Sequence, residues 1–195
     1  MLRTGGAEGN ERLTATTAVV LVLLLAAEGV TILFLRPLLS VHVFVGMMLV
    51  PPVALKLGAT GWRFARYYAG ARPYRLKGPP HPLMRLVVAP VVVVSTALVF
   101  ATGVALLVRG PAGGIVLGLH KASFVVWLAA TGIHVLVYVA RLPRLAVSDW
   151  RRSTRLPAAR LRLGLVAAVL AAGGVLAGAT FSLAQPWFDW SRLGH

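Results

Sequence analysis

The stretch Ile115–Ala140, IVLGLHKASFVVWLAATGIHVLVYVA, is apolar and long enough to cross a bilayer, and it carries two histidines, His120 and His134, fourteen residues apart. An α-helix rises about 1.5 Å and turns about 100° per residue, which sets the two imidazoles about 21 Å apart and only about 40° out of line. One such helix offers nitrogen ligands near both membrane faces. His120, Phe124, Trp127, Thr131, His134 and Tyr138 follow steps of three and four residues and therefore share one helix face. For Phe124 and Trp127 alone, a packed aromatic seam explains the spacing. Ionisable side chains at membrane depth are costly and mark functional interiors, so the histidines make this stripe a candidate site.

The surrounding sequence suits a membrane setting. Of 195 residues, 58% are hydrophobic and 13% charged, against about a quarter charged in soluble domains. Mean hydropathy is +0.81. There is no cysteine, which excludes disulfides, thiolate ligands, iron–sulfur clusters and cysteine nucleophiles. Five segments are long enough for a hydrocarbon core of about 30 Å: residues 13–35, 38–62, 83–108, 115–140 and 161–183. The first is too long for a signal-peptide core and lacks a cleavage site, so it reads as a retained helix. The expected fold is an all-α, five-helix transmembrane bundle, with residues 1–195 forming a single transmembrane domain.

Charge orients this bundle. Arg63, Arg66, Arg72, Arg75 and Lys77 follow the second segment, and Arg141, Arg144, Arg151, Arg152, Arg155, Arg160 and Arg162 follow the fourth, against Asp149 as the one acid there. With Arg3 and Arg12 these are fourteen of the twenty basic residues. The positive-inside bias then predicts a cytoplasmic N-terminus and an external C-terminus, as in a multi-pass protein of the bacterial inner membrane. The net charge of +15 is explained by anionic membrane lipid rather than by nucleic acid, because neither basic loop has the aromatic interleaving of a single-strand platform.

Counting about 1.5 Å per residue from the expected outer ends puts His42 about 6 Å deep, His120 about 8 Å and Glu28 about 10 Å, in one layer. His134 falls near the opposite edge, with Lys56 and His81 as potential companions; Lys56 is itself fourteen residues after His42. Haem suits this geometry best, because two neutral imidazoles from different helices bind iron from opposite sides and a bundle supplies a flat apolar slot. Gly46, one turn after His42, and Gly103, Gly118 and Gly132 are candidates for opening that slot, although close helix packing explains any one of them equally well. The run Gly173 to Gly178 reads as a packing motif. Pro51 and Pro52 predict a bend in the second helix, with the carbonyls of Met47 and Met48 left without donors. Ser95, Thr96 and Thr102 are candidates for fixing the tautomers of ligand histidines, against the commoner habit of bonding their own preceding turn.

These residues resemble the bacterial membrane b-type, di-haem cytochromes that serve hydrogenases, formate dehydrogenases and related respiratory enzymes. The resemblance covers roughly residues 38 to 141 and rests on His42, on His120-Lys121-Ala122-Ser123-Phe124, and on His134. It implies that His42 and His120 are the axial pair of an outer haem b, and that His134 belongs to a second, inner haem. The departure lies at the inner level, where Lys56 stands in place of a second histidine on the second helix. His81 is flanked by Pro79, Pro80 and Pro82, which make its backbone stiff. The motif Trp62-Arg63-Phe64-Ala65-Arg66-Tyr67-Tyr68 also resembles uncharacterised actinobacterial-type membrane proteins, which assigns no activity.

The leading expectation is thus a haem b-binding membrane cytochrome in which His42, His120, His134, Gly46 and Trp127 line the cofactors. It would move electrons across or within the bilayer as an electron-transfer subunit of an oxidoreductase. Quinone and a redox partner subunit are its expected partners, and Arg36, Arg109 and Lys121 are candidates for neutralising propionates. Three other classes compete. One is an intramembrane metal site of Glu28, His42 and His120, suited to zinc or non-haem iron. The second is a proton-coupled transporter using Glu28, Lys56 and His134. The third is an assembly subunit without a cofactor.

Overall fold

The computed structural model describes residues 6–78, 82–112, 114–141, 147, 149 and 156–193. These are almost entirely helical, with no strand among the described residues. We label the helices α1 (Gly6–Leu33), α2 (Leu35–Tyr68), the short α3 (Arg72–Arg75), α4 (Ala89–Arg109), α5 (Gly114–Tyr138), α6 (Ala159–Thr180) and α7 (Gln185–Arg192). A π-helical turn, Met84–Val88, leads into α4. Five helical stretches, containing α1, α2, α4, α5 and α6, are long and apolar enough to cross a membrane. A multi-pass membrane protein follows from that length and composition.

The helices overrun the apolar segments at the basic end of the bundle because polar side chains there find local partners. Glu8 and Arg12, one turn apart on α1, pair at 2.7 Å. On α2, Arg66 lies over the Trp62 ring at 5.8 Å, and Phe64 contacts Tyr68 at 4.4 Å. Such pairs one helical turn apart support a helix outside the hydrocarbon. At the opposite end α1 passes into α2 through Phe34 alone, whose φ of −126° and ψ of 48° break the helix.

The break in helical geometry within α2 lies ahead of Pro51 and Pro52. Helical geometry inside α2 is lost at Leu38 (φ −107°, ψ 15°), just after Pro37, while Pro51 and Pro52 stay within the helix. What the prolines change is a carbonyl. Pro52 has no N–H to offer Met48 one turn earlier, and the Met48 oxygen faces Gly173 of α6, 2.4 Å from where a β-carbon would stand. The packing motif read in α6 therefore rests on Gly173; around Gly174 and Gly178 the corresponding space is open.

Packing divides the spans into two groups. α1, α2 and α6 pack on one another with α2 at the centre, and α4 pairs with α5. Between the groups, α2 touches α4 lightly, and α5 makes little backbone contact with α1, α2 or α6. We call the boundary between these two groups, with α2 on one side and α5 on the other, the seam.

Polar contacts tie the chain at both ends. At the basic end, Asp149 accepts from Arg162 at 2.6 and 2.7 Å and from Arg12 at 3.1 Å. Asp149 is 1% exposed. Burial pushes its carboxyl pKa up, but hydrogen bonds and charge from Arg162 and Arg12 outweigh that and hold it below the usual range. At the other end, the Trp187 indole donates to the Leu106 carbonyl at 2.8 Å, fastening α7 over the end of α4.

Candidate functional site

His42 lies on α2 and His120 on α5, one in each helix group and within electrostatic reach of each other. The sequence expectation placed them in one layer with Glu28, and the structure brings all three near one another. Their roles differ. Glu28 Oε1 lies 2.9 Å from His42 Nδ1, and Thr31 Oγ1, one turn further along α1, lies 3.0 Å from the same nitrogen. The Thr31 hydroxyl spends its proton on the Glu28 carbonyl at 2.6 Å. It can therefore only accept from the ring, so Nδ1 of His42 carries the hydrogen. Both acceptors point to a hydrogen on Nδ1, so that in the neutral ring the lone pair lies on Nε2.

His120 reaches the same state through other residues. Its Nδ1 lies 3.0 Å from Thr102 Oγ1 on α4, and that hydroxyl donates to the Leu98 carbonyl at 2.6 Å. The ring is again the donor, with the Val99 carbonyl as a further backbone acceptor beside it, and in the neutral ring the lone pair then lies on the other nitrogen. Gly103 makes room for it, since a β-carbon there would stand 3.3 Å from His120 Cε1. Of the three hydroxyls considered from sequence, Thr102 alone meets a histidine. Ser95 bonds its own preceding turn at Val91, and Thr96 accepts from the Trp127 indole at 3.0 Å.

Trp127 is thus turned to α4, with Phe124 stacked beside it at 6.1 Å. Gly46 also serves a neighbour. A β-carbon there would meet Glu28 Oε1 at 3.4 Å, so Gly46 leaves room for the carboxylate that holds His42. Gly118 and Gly132 have no atom within 4 Å of the β-carbon position. The stripe read from sequence is the more buried side of α5: Phe124, Trp127, Thr131, His134 and Tyr138 are half-buried, while Val125, Leu128, Ile133 and Leu136 are exposed.

Nearer the basic end, His134 lies within electrostatic reach of Lys56. Its ring faces Tyr138 at 5.0 Å. Lys56 donates to the Thr14 carbonyl at 2.7 Å. His81 lies outside the described residues. Thr31 and Asp149 were missed as partners by sequence reasoning; the three-residue step from Glu28 to Thr31 was the available signal for the first.

The donor set separates two chemistries. Among the described residues no three His, Asp or Glu side chains converge as metal ligands. The expected Glu28, His42 and His120 metal site is therefore corrected: the Glu28 carboxylate is spent on the far nitrogen of His42, where it orients a ligand rather than being one. Two imidazoles from different helix groups, each held at Nδ1 and within electrostatic reach of the other, are a donor set that fits a haem iron. Comparison of the chain with protein-family models, with curated proteins and with solved structures gives no match in any of the three.

Proposed function

We propose that this chain is a haem b-binding integral membrane cytochrome, with His42 and His120 as axial ligands of a haem seated in the seam between α2 and α5. One observation carries the reading: on both histidines Nδ1 is held by acceptors whose own protons are already committed, which leaves Nε2 of each ring as a lone-pair donor. Metal-bound imidazoles characteristically have such bracing.

Bound haem supplies one-electron chemistry within the hydrocarbon, with a potential set by ligand identity and burial. The protein's part is positional. Glu28 and Thr31 orient His42, Thr102 orients His120, and Gly103 admits the His120 ring. By the positive-inside bias, the basic residues clustered where α1 begins support a cytoplasmic position for that end in a bacterial inner membrane, with the His42 level as the outer one. Arg36, Arg109 and Lys121, all exposed near the outer end, are suited to neutralising propionates. A quinol donor and a separate redox subunit complete the reading, with lipid as the surrounding partner.

Purified in detergent, the chain should be red, with a sharp reduced α-band and a pyridine spectrum of b type. His42→Ala and His120→Ala should each remove one haem per chain. Colourless wild-type protein from haem-replete cells, or unchanged haem content in both variants, would overturn the assignment.

A further inference from the structure

The spans α2 and α5 run in the same direction and carry the same interval of nitrogen donors: His42 and Lys56 on one, His120 and His134 on the other, fourteen residues apart in each case. When His42 and His120 share a level, Lys56 and His134 must share the next, and these two are indeed within electrostatic reach. The helix environment repeats as well. Gly118 and Gly132 each precede a histidine by two residues, and each has open space where a side chain would begin.

The second level holds unclaimed polar capacity. His134 has no hydrogen-bond partner on either ring nitrogen among the described residues, its ring contact being with Tyr138. Thr131, one turn before it, has a buried hydroxyl without a partner among the described residues. Lys56 is paired with no carboxylate among the described residues; its partner is the Thr14 carbonyl. An ammonium so placed is costly at membrane depth. A neutral amine bound to a metal is not: one N–H continues to donate to Thr14, and the lone pair goes to the ion. The Thr14 carbonyl would then brace Lys56 as Thr102 braces His120.

We propose that Lys56 and His134 are the axial pair of a second haem, giving this protein one bis-histidine and one lysine–histidine centre. The inference rests on the haem reading of the His42 level, and departs from it in assigning an amine ligand.

The test uses full-length protein purified from haem-replete cells, with haem counted per chain and ligands read by low-temperature electron paramagnetic resonance and near-infrared magnetic circular dichroism. Wild-type protein should carry two low-spin haems, one with the shifted charge-transfer band expected when an amine replaces an imidazole. Lys56→Arg keeps the cation and a hydrogen-bond donor but has no lone pair to give, and should reduce haem content from two to one. Lys56→His should keep two haems and convert the shifted band to the bis-imidazole position. A structural cation, or one that binds an anion, would behave in the opposite sense, tolerated as Arg and lost as His. Two haems with unchanged bands in Lys56→Arg would overturn the proposal. One haem in wild-type protein, removed by His42→Ala, would overturn it while leaving the outer haem standing. Haem-free wild-type protein would overturn both readings.

Discussion

His42 and His120 are held from behind by side chains of α1 and α4, whereas Lys56 is steadied by a single backbone carbonyl and His134 by a tyrosine ring. The two levels carry similar nitrogen atoms at the same interval, so the contrast lies in their support. An imidazole fixed at Nδ1 has its tautomer and ring plane chosen before a metal arrives; an imidazole free at both nitrogens must pay for both on binding. Haem at the first level should therefore be the more tightly retained, and each perturbation below should act on one level more than on the other.

The largest effect is expected at the basic end. Asp149→Asn leaves Arg12 and Arg162 without their shared carboxylate, and breaking a buried ion pair from one side costs about 3–5 kcal/mol. The thermal midpoint should fall markedly, the second-level haem should be lost before the first, and calorimetry with haem counting would show both. Acid should mimic the variant. The folded pKa of Asp149 lies below its unfolded value, so its stabilisation is complete above about pH 4 and is lost as pH falls through the lower folded value.

Thr102→Val comes next. It removes the acceptor at His120 Nδ1 and should loosen the outer haem by about 10–100-fold, measured as transfer to a haem-scavenging globin, with the second level unaffected. Equal loosening at both levels would contradict the contrast. Glu28→Gln should keep the pigment and raise the outer haem's midpoint potential, because the lost anion favours the oxidised iron; a redox titration reads it. Gly103→Ala should do least. Its β-carbon would stand 3.3 Å from His120 Cε1, so the ring must give slightly, and a small displacement of the outer haem's α-band should be the whole effect.

How far the sequence reaches depends on range. The five spans and the α5 stripe follow from hydropathy and helical period, which are local. The likeness of His42 to His120 follows from depth counting along each helix. What holds each ring does not: the pairing of Glu28 and Thr31 with His42 depends on the register of the α1–α2 hairpin, which is fixed by a turn at Phe34 that the segment bounds 13–35 and 38–62 placed a few residues late. Thr102 was one of three equivalent hydroxyls until the α4–α5 register selected it. Asp149 looked like an isolated acid in a basic loop, because its partners Arg12 and Arg162 come together only when the ends of α1 and α6 meet. Gly46 and Trp127 were read as cofactor-facing from their positions, and the structure gives them neighbours instead, a carboxylate and a threonine.

The contact between Met48 and Gly173 sets a reference height for the whole seam. A proline that withholds an amide and a residue that lacks a side chain let two backbones touch at one point, so α2 cannot slide along α6 without losing that fit. Both nitrogen donors of α2, His42 and Lys56, lie within two or three turns of this fulcrum, one on each side. Their elevation in the bilayer is governed by a glycine on a helix that supplies no ligand, and a methyl group added there would move both centres together.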